Sequence, residues 1–194
     1  MGREGLELLG ANVSFLLATE ADEILEKLCD PHMIAEMQKV FFSDAPNSLG
    51  HSYANLLSGP GGRRDLQDVI SLLQAEPSTK RALVNFSGQA AGKVPCISAI
   101  QFLVRDNALH IMYFARGQDV FKKFYADGLC LIAMAQRVAT ALGRPLGIAR
   151  GFIGSSHVYY EDMPTIREKI TLSKSLKAKE GCEQSSATAH ALES

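Results

Sequence analysis

Tryptophan is absent from this chain of 194 residues, and aromatic residues as a whole make up only 7% of it. Cysteine is sparse as well. The four thiols, Cys29, Cys96, Cys130 and Cys182, form no CxxC pair and have no histidine at metal-ligand spacing. That pattern argues against a zinc site and against a disulfide framework, and it leaves thiols free for chemistry. An excess of either charge is missing too: 20 Lys and Arg stand against 21 Asp and Glu, scattered among one another. Nothing in this balance builds a surface that tracks a nucleic-acid backbone, so an anionic ligand should be small and locally held. No apolar run approaches a membrane span, and the N-terminal MGREGLELLG has no hydrophobic core of signal-peptide length. A soluble, cytoplasmic protein without a membrane partner is the expectation. The length suits one sizeable core.

What is present has a clear order. Glu20 to Leu28 and Met33 to Phe42 have the periodicity of short amphipathic helices, the second with Met33, Met37, Val40 and Phe41 on one stripe and Glu36 on its flank. SDAPNSLGHSY and SGPGGRR have the composition of loops, and a helix is expected from about Asp65 to Gln74. From Ala82 the pattern turns to strands: ALVNF, then ISAIQFLV and ALHIMYFA flanking the turn residues RDN. FYADGLCLIAMAQRVATALG is apolar around most of its circumference and predicts a buried helix closed by Gly143. A last strand is expected in LGIARGFIGSSHVYY. Helices first, then a mostly antiparallel sheet packed with one long buried helix, define an α+β domain. Residues 1–171 are expected to form that domain. Residues 172–194 are too polar and too rich in small residues to bury a face, and form a flexible tail or an isolated surface helix.

The chemistry concentrates between Lys93 and Phe121, where Cys96 directly follows Pro95 at the head of the hairpin. Antiparallel pairing brings the start of the first strand to the end of the second, and so brings Arg116 toward Cys96. A nearby cation favours the thiolate that makes cysteine a nucleophile, and a guanidinium also suits phosphate or carboxylate. The bland alternative is a half-buried cysteine beside a surface arginine. His157 and Tyr159, two apart on a strand, point to one face and either hold a hydroxyl pair such as a ribose or simply face solvent. Lys80 and Arg81, ahead of the ALVNF strand, read as a phosphate clamp or as a solvated dibasic pair. Asp127, at the start of the buried helix, reads as an N-cap or as a carboxyl that accepts a hydrogen bond from an exocyclic amine.

Taken together, EPSTKRALVNF, VPCISAIQFLVRDNALHIMYFARGQDVF and GFIGSSHVYY resemble the thymidylate synthase family in order and spacing, over roughly Ile34 to Tyr160. The specific parts are the Pro-Cys pair, the R-x-x-D-V-F stretch and the G-x-x-H-x-Y strand. MIAEMQKVFFSD, with Glu36, and GHSY, with Tyr53, match more loosely. The resemblance implies that Cys96 adds to C6 of a pyrimidine nucleoside monophosphate and that Arg116 binds its phosphate. It implies a homodimer formed through a sheet face, with Lys80 and Arg81 reaching the partner's phosphate site. His157 and Tyr159 would hold the sugar, Glu36 would order water around the base, and Tyr53 would assist proton removal from C5. Asp119 would face the folate, 5,10-methylenetetrahydrofolate being the co-substrate, with no metal; Arg3 would be the mobile arginine that closes on phosphate.

Departures from the family pattern carry the specificity. Asp127 in KFYAD stands where thymidylate synthases have an Asn that reads uracil. An amide donates and accepts, whereas an ionised carboxylate only accepts, which suits the N4 amine of cytosine. The same Asn-to-Asp change marks the cytidylate hydroxymethylases of the family. The chain has no Trp to shelter the intermediate beside the folate and lacks the family's apolar C-terminal segment, so a leaky site that admits water is expected. Gly117 replaces the Ser that usually follows the phosphate-binding Arg, and Ile97 stands where His is common. The expected reaction is 5-hydroxymethylation of CMP or dCMP. The alternatives are a divergent thymidylate synthase acting on dUMP and a nucleotide-binding relative without catalysis. The pathway expectation leans to nucleoside antibiotic biosynthesis over phage DNA modification.

Overall fold

The computed structural model describes residues 4–17, 27–43, 45–47, 52–58, 66–86 and 94–175. The elements are β1 (Gly5–Leu16), α1 (Pro31–Phe42), α2 (Tyr53–Ser58), α3 (Leu66–Ala75), β2 (Leu83–Asn85), β3 (Ile97–Arg105), β4 (Ala108–Asp119), α4 (Phe124–Leu142) and β5 (Leu146–Tyr159). A 3-10 turn over Tyr160–Asp162 leads into a further helix, α5, over 163–175. The α+β class stands. Arg3, most of the helix expected from Glu20 to Leu28, the glycine-rich loop after α2 and the tail from 176 onward lie outside the described residues. Residues 172–175 belong to α5.

Local chemistry accounts for the element ends. Asp30 caps α1, its carboxylate accepting from the His32 amide at 2.9 Å, and Pro31 occupies the first helical position, where its missing N–H is not needed. The β3–β4 hairpin turns on Asp106 and Asn107, both at positive φ (50° and 66°). Two left-handed central residues make the I′-type turn whose twist matches the flanking strands, and Asp and Asn tolerate that region best after glycine. Gly143 ends α4 at φ 62°, and its amide donates to the Ala139 and Thr140 carbonyls.

The five strands lie in the order β1-β5-β4-β3-β2. Three pairs are antiparallel; β4 and β5 are parallel and joined by α4, the crossover such a pair requires. One expectation about chain order needs correction. Helices were to come first, yet β1 precedes them and pairs with β5 at the far end of the chain, Gly5 opposite Tyr159 and Leu16 opposite Ile148. As an edge strand it is mostly exposed: Leu8 and Leu9 are adjacent and both in solvent, so its first half has no alternation, while Ala11, Val13 and Phe15 of its second half turn toward the core. Tyr53 also begins a short helix where a loop was expected.

The core lies between one sheet face and α1, α3 and α4. From the strands it takes Ile100, Phe102, Leu109, Ile111 and Ile153; from α4 it takes Leu131, Met134, Ala135, Val138 and Ala139, at the spacing of one helical face. Gly151 is required by close approach, because a Cβ there would lie 2.2 Å from the Tyr113 ring. The opposite sheet face exposes Leu83, Met112, Phe114 and Phe152, the last two stacked with centroids 5.9 Å apart. Among the described residues no helix is long and apolar enough to cross a membrane.

Candidate active site

Cys96 sits one residue before β3, and three contacts fix the backbone around it. The Arg116 amide donates to the Cys96 carbonyl at 2.8 Å, continuing the hairpin ladder past Ile97. The Ile97 amide donates to the Tyr53 hydroxyl at 3.0 Å. Arg116 donates from Nη2 to the Val94 carbonyl at 2.7 Å and from Nε to the Val94 and Pro95 carbonyls, each at 3.2 Å. The spacing argument for Arg116 therefore holds, but through the strand leading to the thiol. Two guanidinium nitrogens hold backbone, and among the described residues Nη1 has no hydrogen-bond partner.

Burial pushes the Cys96 thiol above its ordinary range. Arg116 pulls the other way, as expected, and Lys123 adds to that pull, while the charges of Asp127 and Asp119 oppose it. The expectation of a thiolate favoured by Arg116 needs this correction: desolvation outweighs the cation in the free protein. Tyr53 is 2% exposed, and its phenol is raised well above the usual value by burial and then by Asp127. It is a neutral hydroxyl whose oxygen is engaged by the Ile97 amide.

Asp127 is the most unusual group in the region. It lies in the first turn of α4 and is 4% exposed. It is not the N-cap; Lys123 holds that position and provides no side-chain cap bond. Its Oδ2 accepts from Gln118 Nε2 at 2.6 Å, while Oδ1 is buried and has no partner among the described residues. Burial raises its pKa from 3.8 to about 6, with the Gln118 bond and the Lys123 charge pulling it down. Gln118, itself 2% exposed, was missed in the sequence because the R-x-x-D stretch leaves its position unspecified. A buried carboxylate needs a donor, and that requirement was the available signal.

Asp119 is 8% exposed, and its Oδ1 accepts from the Phe121 and Lys122 amides at 3.1 and 2.9 Å, closing the turn from β4 into α4. In the parallel register Asp119 lies opposite His157, and the Val120 amide donates to the His157 carbonyl at 3.1 Å. His157 and Tyr159 do share a face: His157 Nε2 is 3.4 Å from the Tyr159 hydroxyl. They line a cavity of about 280 Å³ between β1 and β5 that also includes Glu7 and Ser155, and the Ser155 hydroxyl donates to the Glu7 carboxylate. Gly117 has room there, since a Cβ would meet nothing nearer than 3.8 Å.

The other expected residues lie on α1 and ahead of β2. Glu36 is on α1, half-buried, 3.8 Å from the Lys39 ammonium. Lys80 and Arg81 are exposed and precede β2, whose register with β3 runs from Leu83 opposite Gln101 to Asn85 opposite Ala99. They therefore lie toward the turn of the hairpin, at the end away from the thiol. Arg81 pairs with Glu76, and Gln101 donates to the Lys80 carbonyl at 2.7 Å. The structure thus gathers Cys96, Arg116, Tyr53, Asp127, Gln118 and Asp119 around the β3–β4–α4 junction, with His157 beside it. A thiol, a cation and a buried acceptor in one place can support covalent addition to a polar planar ring.

Comparison with solved structures agrees on the fold. Thymidylate synthase from T4 phage superposes with a TM-score of 0.64 at 17% identity, covering 84% of this chain and 71% of that one. Thymidylate synthase A from Bacillus subtilis gives 0.61 at 18% identity, covering 87% and 71%. Two archaeal relatives bear the name "Putative thymidylate synthase". The Methanocaldococcus jannaschii protein is 24% identical over 102 residues, 48% of this chain and 46% of its own length. The Methanothermobacter thermautotrophicus protein is 25% identical over 134 residues, 67% of this chain and 60% of its own. The chain thus spans about half to three-fifths of the length of these relatives. The thymidylate synthase family model matches residues 35–183, and with most of the chain inside that match, the chain belongs to the thymidylate synthase family.

Proposed function

We propose that the protein transfers a one-carbon unit from 5,10-methylenetetrahydrofolate to C5 of a cytidine monophosphate, CMP or dCMP, and adds water to give the 5-hydroxymethyl nucleotide. Asp127 carries this reading. It occupies the position of the uracil-reading Asn in the family pattern, and it has one buried oxygen without a partner. With a pKa of about 6 it is roughly nine-tenths ionised at pH 7. An ionised carboxylate accepts and cannot donate, so it matches the N4 amine of cytosine and leaves uracil O4 without a donor. If N3 is protonated as C6 is attacked, the contact gains charge assistance and strengthens along the reaction.

On this reading Cys96 adds to C6, which makes C5 nucleophilic toward the one-carbon unit. C5 forms its bond to that carbon and loses its proton, tetrahydrofolate departs, water adds to the exocyclic methylene, and Cys96 leaves with its electron pair. Glu36 orders the water and Tyr53 assists removal of the C5 proton. Arg116 binds phosphate through the nitrogen not engaged by Val94 and Pro95, and Asp119 faces the folate. His157 and Tyr159 hold the sugar, and Arg3 closes on the phosphate. Lys80 and Arg81, distant from Cys96 in their own chain, serve a partner's phosphate site in a homodimer built on the apolar sheet face. The placement of the pathway in nucleoside antibiotic biosynthesis is part of the same proposal.

Incubation of CMP, dCMP and dUMP with the protein and 5,10-methylenetetrahydrofolate, followed by mass spectrometry, tests the reading. A cytidine nucleotide heavier by CH2O is the expected product and identifies the sugar. A methylated uracil nucleotide would establish dUMP methylation instead, and no change in any of the three would leave a nucleotide-binding protein without this chemistry.

A further inference from the structure

Gln118 has no assigned role in the reading above, yet among the described residues it makes the side-chain hydrogen bond to the group on which base choice depends. Both members of the pair are almost fully buried, at 2% and 4% exposure, and the bond is short, 2.6 Å from Nε2 to Oδ2. A carboxyl group can rotate to present either oxygen. A donor fixed on Oδ2 removes that freedom and leaves Oδ1 as the oxygen available to a ligand, and Oδ1 is the atom without a partner.

We propose that Gln118 is a specificity-determining positioning residue, which, by donating to Oδ2, keeps Asp127 a pure acceptor and presents Oδ1 to the exocyclic amine of a cytosine ring. The inference rests on the cytidylate reading and extends it. Its physical basis is that the N–H bond to Oδ2 is charge-assisted with the ionised carboxylate and weaker with the acid, so it favours the ionised form. A protonated Asp127 would offer one donor and one acceptor, as the Asn of uracil-reading relatives does. Base selectivity is then a matter of charge state at one buried group, and Gln118 biases that state.

Of the remaining surroundings, Lys123 at the N-cap of α4 shares the bias through its charge, whereas Gln118 also orients the carboxyl through a hydrogen bond. Tyr53 from α2, Cys96 before β3, Tyr113 from β4 and Cys130 from α4 are all neutral groups whose own ionisation the Asp127 charge opposes.

The test uses Gln118→Met, which keeps the shape and removes the N–H. Infrared titration of the ligand-free protein reads the protonated carboxyl, and competition binding of CMP against UMP and of dCMP against dUMP reads the base preference. The Asp127 titration should move upward in Gln118→Met. The cytosine-to-uracil affinity ratio at pH 7 should fall by about tenfold, the factor carried by one pKa unit. In an Asp127→Asn background the same Gln118 change should leave the ratio unaltered. An unmoved titration overturns the proposal, as does a moved titration with the preference intact, or an equal effect in the Asp127→Asn background. If Gln118→Met does not fold, Gln118→Glu carries the same test, because a second carboxyl raises the titration in the same direction. A wild-type protein that binds the uracil nucleotides as tightly as the cytosine ones overturns the cytidylate reading and the selectivity role together. The titration alone still reports whether Gln118 sets the charge of Asp127.

Discussion

At the scale of single residues, one group sits in a state that costs the folded protein something at neutral pH. Asp127 is a carboxyl whose pKa is raised by burial, so the sign of its linkage is the reverse of that of a salt-bridged acid. The native state favours its protonated form, and the stability this brings is full below the unfolded value near 3.8 and lost as pH rises through about 6. A shift of this size corresponds to at most about 3 kcal/mol at neutral pH. Asp127→Asn should therefore be more stable than wild type above pH 6 by up to that amount, with the difference vanishing toward pH 4, as urea denaturation across that range would show. The same variant should turn base preference toward uracil, and an unchanged preference would remove the main argument for cytosine. Wild-type turnover of a cytidine nucleotide should decline on acidification through about pH 6 as the acceptor becomes protonated, which kcat/KM across pH 5–8 measures. Cys96→Ala should abolish product formation and leave nucleotide binding measurable; turnover in that variant would rule out covalent addition by this thiol.

Individual elements owe their positions to contacts that join the site to the scaffold. α2 is only six residues long, yet it delivers the Tyr53 hydroxyl to the Ile97 amide directly after Cys96. The Tyr53 ring packs between Phe41 of α1, at 4.3 Å, and Phe86, at 4.8 Å, so one side chain links three segments. Tyr53→Phe keeps this packing and strands a buried N–H, a loss of about 1–3 kcal/mol. Thermal unfolding should register that loss, and turnover should fall with it, because the backbone holding the thiol loses its anchor. At the other end of the site, Tyr125 in the first turn of α4 accepts from the Asp30 amide at 3.0 Å, tying that helix to the capped start of α1. The start of α4 is therefore held from two sides, by Tyr125 at α1 and by Asp127 at Gln118.

For the molecule as a whole, the sheet divides two environments. One face is the core. The other leaves Met112, Phe114 and Phe152 between 39% and 44% exposed on the neighbouring strands β4 and β5, with Leu83 of β2 beyond Gln101 of β3. Contiguous apolar residues of this kind mark an interaction surface, and a second copy with the same self-complementary patch is the simplest occupant. On that proposal Phe152→Lys puts a charge into the apolar patch and should yield monomers at micromolar concentration in sedimentation velocity. If Lys80 and Arg81 serve the partner's site, the monomer should also lose nucleotide affinity, while a monomeric protein of full affinity would refute the shared site.

Sequence alone determined the features whose causes are local in the chain. The hairpin followed from alternating apolar residues around Asp106 and Asn107, and α4 from its apolar circumference and Gly143. The Cys96–Arg116 approach followed from antiparallel register, and the family from motifs kept in order. Tertiary structure decided what depends on distant neighbours. β1 has a weak pattern because its partner β5 lies at the far end of the chain and only Ala11, Val13 and Phe15 of its side chains turn toward the core. Whether Cys96 is activated or suppressed depended on desolvation set against Arg116, and that balance exists only once the site is buried. Lys80 and Arg81 read as a phosphate clamp reaching a partner's site, and only β2–β3 register shows that they lie away from their own thiol. Gln118 and Asp127, nine residues apart on a strand and a helix, meet only because the turn held by Asp119 folds one onto the other, and an isolated buried carboxylate requires such a partner.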